Sequence, residues 1–133
     1  MGRKIARETA MKLIYQMDIH REAYQEMIER TIEEYPDDLK DHAYIREVTY
    51  QYLHHQQLID DIITQHAKDW KLDRIAKVDL AILRLAIVEM LYQEDIPTSV
   101  SINEAVEMAK NYSTDESGSF VNGVLGSVAE MKK

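Results

Sequence analysis

Asp73-Arg74-Ile75-Ala76-Lys77-Val78-Asp79-Leu80-Ala81-Ile82-Leu83-Arg84-Leu85-Ala86-Ile87-Val88-Glu89-Met90-Leu91-Tyr92 is the stretch on which the fold turns. A helix on a protein surface keeps a polar face about as wide as its apolar one. From Leu80 to Tyr92 only Arg84 and Glu89 are charged, so apolar side chains point nearly all the way round. That pattern predicts a central helix wrapped by its neighbours. Asp73 is the expected N-cap, with its carboxylate at the positive end of the helix dipole. Pro97 drives the residue before it out of helical geometry and so ends the arm. Ser101-Ile102-Asn103-Glu104 then reads as a capping box, with Val100 and Ala105 as its hydrophobic staple. Ile102, Ala105, Val106 and Ala109 follow at the spacing of one buried face. The two arms form a packed helical hairpin running to Lys110.

Arg84 is the odd residue of that core. A guanidinium is rarely buried without a partner. The expectation is an ion pair, with Glu104 of the second arm or Glu89 as acceptor, rather than a site for an external anion.

The rest of the composition fits this reading. A chain of 133 residues is about one domain and buries a real core. Four Gly and two Pro supply little of the turn chemistry an all-β fold needs. The absence of cysteine removes disulfides and thiolate metal sites, and suits a reducing cytoplasm. The basic start, Met1-Gly2-Arg3-Lys4, is not followed by an apolar run, so no secretory signal is expected. No apolar stretch is long enough to span a bilayer. The net charge of −8 is uneven: residues 1–20 sum to +2, residues 21–70 to −7 and residues 71–133 to −3. An acidic body of this kind disfavours non-specific nucleic-acid binding, but leaves room for a local basic edge.

Taken in order, the first helix is expected over about Arg3 to Met17, with Ala6, Ala10, Leu13, Ile14 and Met17 inward. Arg3, Lys4 and Arg7 fall within about a hundred degrees of one another round it, and Met11 and Tyr15 extend that face. Cations with an aromatic beyond them suit single-stranded RNA, through phosphate contacts and base stacking. A second helix is expected from Glu22 to Tyr35, stopped by Pro36-Asp37-Asp38, with Tyr24, Met27, Ile28 and Ile32 or Tyr35 inward. From Leu39 or Lys40 the helical period runs through to Ala67, as one helix or as two parted near His54-His55. Trp70 and Leu72 are expected to plug the seam between the two halves of the chain. Ser113-Thr114-Asp115-Glu116 opens a last helix to Met131, with Phe120, Val121, Val124, Leu125 and Val128 on its apolar face. Gly123 is expected where another backbone comes close.

Chemistry of other kinds finds no residues to carry it. His54 and His55 are adjacent and diverge on a helix, and no His-Glu-x-x-His pattern occurs, so no metal is expected. Neither a glycine-rich phosphate loop nor a Gly-x-Ser-x-Gly elbow is present. No enzyme and no cofactor are expected.

One family has these residues in this order. Ala6-Arg7-Glu8 followed by Leu13-Ile14-Tyr15 resembles the opening of the NusB family of bacterial transcription antitermination factors. Ile82-Leu83-Arg84-Leu85-Ala86, Asp95-Ile96-Pro97, Ile102 through Lys110, and Phe120-Val121-Asn122-Gly123-Val124-Leu125 resemble its C-terminal signature in order and spacing. The resemblance spans the chain, although residues 20–60 match only in helical character. It implies an all-α fold of about seven helices, in two three-helix subdomains with one extra C-terminal helix. The subdomains would cover about residues 1–68 and 69–133.

The resemblance further implies a cytoplasmic protein that binds the boxA element of ribosomal RNA leaders together with NusE, a protein of the small ribosomal subunit. The pair would join the elongating RNA polymerase complex through other Nus factors. On this basis Arg3, Lys4, Arg7, Tyr15, Lys110, Glu116, Ser117 and Phe120 are the expected RNA-binding residues, and Asp79 the expected NusE contact. Spacing alone puts Phe120 in the core; the resemblance puts it at the RNA surface. Gly2 and Ile5 interrupt a basic run that is denser in many relatives, which predicts weak RNA binding without NusE. Similar helical domains precede the catalytic region of RNA cytosine methyltransferases, but the chain stops soon after Val124-Leu125, without room for a cofactor domain. The alternative is a helical adaptor that binds protein only.

Overall fold

The computed structural model describes residues 2–132, an all-helical assembly built round one central helix. The helices are α1 (Gly2–Ile19), α2 (Tyr24–Glu34), α3 (His42–His54), α4 (Gln56–His66), α5 (Lys77–Tyr92), α6 (Thr98–Tyr112) and α7 (Asp115–Met131). Every residue of α5 from Asp79 to Met90 is buried. This helix packs against α1, α3, α4, α6 and α7, which is why its sequence has no polar face. α6 and α7 form an antiparallel pair beside it, and α2 reaches the core through Ile28 and Ile32, packed on α1 and α3.

The hairpin is as expected, but its caps are not. Asp73 sits in a 3-10 turn (Leu72–Arg74), and α5 begins only at Lys77. Ile75 and Ala76 are both extended, and Ile75 uses that geometry to turn its side chain into the core. Likewise α6 starts at Thr98, directly after Pro97, which is its N-cap with φ −59° and ψ 139°. Ser101 is therefore inside the helix and makes no capping box. Its hydroxyl donates instead to Glu89 at 2.7 Å. Val100 is exposed, so the expected staple is absent. At α7 the cap lies one residue later than expected: Thr114 Oγ1 accepts from the Ser117 amide at 3.0 Å.

α2 begins two residues later than expected because Ala23 takes a left-handed conformation, φ 54°. The long stretch after Lys40 is two helices. His55 leaves helical geometry at the break, and its ring stacks on Tyr92 of α5 with centroids 4.5 Å apart. Arg84 is buried and paired, but with neither expected acceptor. It forms a two-point bond to Asp60 of α4, at 2.9 and 3.0 Å, with Asp18 of α1 at 3.5 Å. Lys77 closes the cluster on Asp18 at 2.9 Å. Glu89, one of the proposed acceptors, is taken by Arg7.

Two further expectations are corrected. Trp70 does not plug a seam; it is 52% exposed, while Leu72 is half-buried. A side chain on Gly123 would meet nothing within 4 Å, so no backbone approaches there. Close approaches occur instead at Gly2, where an added Cβ would lie 2.8 Å from the Leu39 carbonyl oxygen, and at Gly118, where it would lie 2.9 Å from Lys110 Cγ.

Candidate nucleic-acid interface

The expected site residues fall into two groups. The first lies on α1. Lys4 is exposed to solvent. Arg3 is half-exposed, pairs with Asp41 at 3.2 Å and lies over the Tyr44 ring at 4.4 Å. Arg7 is different. It is 5% exposed and bonds Glu89 through Nε at 2.8 Å and Nη2 at 3.1 Å. Tyr44 also donates to Glu89, where burial and that carboxylate push the phenol pKa up and hold its proton. Glu89 thus accepts from α1, α3 and α6 at once. The expectation that Arg7 faces RNA is corrected: a carboxylate buried at the centre of the bundle requires a cation beside it, and Arg7 is that cation. Met11 is buried and Tyr15 half-buried against the core, so neither continues an open basic face.

The second group surrounds the α6–α7 turn. The stem of Lys110 runs across Gly118, one turn into α7. Glu116, in the same first turn of α7, is exposed. Ser117 donates to Asp79 Oδ2 at 3.0 Å, and its oxygen lies 2.8 Å from that of Ser113, so a short chain of hydroxyls ends on the Asp79 carboxylate. Asp79 is 6% exposed, and its other oxygen, Oδ1, has no hydrogen-bond partner. Burial raises its pKa, and the hydroxyls of Ser117 and Ser113 offset that only partly. Phe120 is half-buried and meets Trp70 edge to face, with centroids 6.0 Å apart. Asp79, Glu116, Ser117, Phe120, Trp70 and Arg74 together line an open cavity of about 260 Å³.

Asp79, Glu116, Ser117 and Phe120 therefore share one wall, with Lys110 adjacent, whereas Arg3, Lys4 and Tyr15 do not line that cavity. A residue the sequence reading passed over connects α1 to the turn. Lys12 places its ammonium over the ring of Tyr112, 5.3 Å from the centroid, at the end of α6. The signal was present in the spacing: Lys4, Glu8 and Lys12 stand at i, i+4 and i+8 on one side of the helix, with both lysines exposed and Glu8 half-buried between them. Among the described residues, no group of three His, Cys, Asp or Glu side chains is placed to hold a metal ion. No described helix is long and apolar enough to cross a membrane.

The model of the NusB family matches residues 4–130. The chain belongs to the NusB family. The transcription antitermination protein NusB of Acetivibrio thermocellus is 54% identical over 132 residues, covering 99% of this chain and 91% of that protein. Among solved structures, NusB of T. maritima superposes with a TM-score of 0.86 at 35% identity, covering 96% of this chain and 90% of that one. A crystal structure of the antitermination factors NusB and NusE in complex with dsRNA matches with a TM-score of 0.85 at 28% identity, over 98% of this chain and 97% of that one. The all-helical fold that the resemblance implies is the fold of these structures.

Proposed function

We propose that the protein is a transcription antitermination factor. It binds boxA-type RNA of ribosomal RNA leaders together with NusE, and the pair joins the elongating RNA polymerase complex in the cytoplasm. Its work is binding rather than catalysis. The observation that carries this reading is the hydrogen bond from Ser117 to Asp79. It ties the expected NusE contact on α5 to the first turn of α7, three residues before Phe120. A partner that engages Asp79 acts on the hydroxyl of Ser117, and so on the turn that carries the RNA-facing residues. Binding of either ligand then favours the other by the same factor. Lys4, Lys12 and Lys110 supply cations along one edge of an acidic body, and Phe120 an aromatic ring for an unpaired base.

The test is fluorescence anisotropy of a short labelled boxA-type RNA, with and without purified NusE, over a range of salt. Three neutralised phosphates give a slope of about −2 in log K against log salt for a single strand. Binding strengthened by NusE and weakened by Phe120→Ala or Lys110→Ala is the expected result. A folded protein that binds NusE but no RNA in any combination would make it a protein-binding adaptor instead.

A further inference from the structure

Trp70 is the only tryptophan of the chain, and its indole stands outside the core. A large aromatic left half-exposed forgoes about half of the burial that normally fixes such a residue inside. Its surroundings make the exposure meaningful. Trp70 and Phe120, in edge-to-face contact, form a ridge with an open cavity on either side. One is the cavity of about 260 Å³ that contains Asp79, and the other is a groove of about 350 Å³ running between the end of α4 and α7. Both rings line both cavities. Each cavity also holds a cation from the α4–α5 connection, Arg74 in the first together with the carboxylates of Asp79 and Glu116, and Lys68 in the second together with that of Asp69. In the second groove Gly123 offers no side chain, and the space above it is open.

A ridge of two aromatic rings, with a cation in the groove at each side, is what successive unpaired bases and their phosphates require. We propose that Trp70 is a base-stacking residue, which with Phe120 forms a two-sided platform for adjacent nucleotides of a single-stranded RNA, and that Lys68 and Arg74 meet the phosphates at its two edges. This rests on the RNA-binding reading above and extends it from α7 to the α4–α5 connection.

The single tryptophan makes a direct test available. RNA is titrated into the protein alone and into its complex with NusE, and tryptophan emission is followed beside the anisotropy of labelled RNA. Stacking should quench the emission of Trp70 with the same midpoint as the anisotropy. Trp70→Ala should weaken RNA binding about tenfold or more without changing the salt slope, because no phosphate contact is lost. Trp70→Phe should keep most of the affinity. Trp70 is half-exposed, so both variants are expected to melt close to the wild-type temperature, and Trp70→Phe separates stacking from any loss of packing. RNA binding with unchanged emission and wild-type affinity in Trp70→Ala would overturn the role of Trp70 and leave the antitermination reading standing. Quenching by NusE without RNA, with Trp70→Ala weakening NusE binding alone, would make the ridge a protein contact and also overturn it. No RNA binding by anisotropy under any condition would remove both readings together.

Discussion

Arg7 Nε lies 2.8 Å from Glu89 Oε2, with both side chains withdrawn from water. The pair joins the first helix to the central one, and the hydroxyls of Tyr44 and Ser101 complete the shell round the carboxylate. Removing one partner of such a pair strands the other charge in the core, at a cost of about 3–5 kcal/mol. Glu89→Gln, which preserves shape, should lose about that much in urea denaturation. Arg7→Met should lower stability while leaving the salt slope of RNA binding by the folded protein as it was. A slope shallower by about 0.7, the contribution of one phosphate, with unchanged stability would return Arg7 to the RNA surface.

Gly118→Ala isolates the position of Lys110. The added methyl would come within 2.9 Å of Lys110 Cγ, so the lysine stem must move off α7. Lys110 is exposed and flexible, and the lost packing is set against the better helix propensity of alanine, up to about 1 kcal/mol. The melting temperature should therefore change little. RNA affinity should fall, and to the same extent as in Lys110→Ala. If the double variant binds more weakly than either single one, the two residues act independently and the geometry is not the cause.

The Arg84–Asp60 pair predicts a different pattern. Asp60→Ala leaves Arg84 with Asp18 alone, at 3.5 Å, and Asp18 is already shared with Lys77. A loss of about 3 kcal/mol is expected for a mostly buried pair. Adding Arg84→Met should restore part of it, since an apolar side chain needs no counter-charge there. Urea midpoints at constant slope measure this. A double variant that loses the sum of the two single losses would mean that the residues are not coupled.

How much was legible follows from where the information lies. The burial of α5 was legible because a helix touched by five others must be apolar all round, and that is written in thirteen consecutive residues, Leu80 to Tyr92. The need of Arg84 for a partner was legible too, but not the partner's identity. Asp60 and Asp18 come to it from other helices, and nothing in their neighbours marks them. The caps failed for a local reason. Ala23 and Lys40 adopt left-handed geometry without glycine, and Ile75 turns inward from extended backbone, so the usual signals were missing or misplaced. At the site, α7 was found through its motif, whereas Arg7 was misread because three cations on one helix look alike until the core claims one. Trp70 was expected to plug the seam from its place in the short connection before Asp73, and only the structure shows it outside.

Asp79 gives the last prediction, and its sign can be worked out. Burial raises its pKa, and the hydroxyls of Ser117 and Ser113 nearby do not cancel that rise. The folded protein therefore keeps the proton to a higher pH than the unfolded chain does. Between the unfolded and folded values the native state binds more protons, so stability falls as pH rises through that window. At neutral pH the ionised carboxylate, with Oδ1 unpaired, opposes folding. Asp79→Asn removes the charge and still accepts from Ser117, so it should melt higher than wild type at pH 7. The difference should shrink as pH is lowered through the raised value. A difference that widened on acidification would mean that the folded state favours the carboxylate. If the expected order holds and Asp79 meets NusE as proposed, a cationic group brought against Asp79 would relieve a cost built into the free protein, and part of the affinity of the pair would come from that relief.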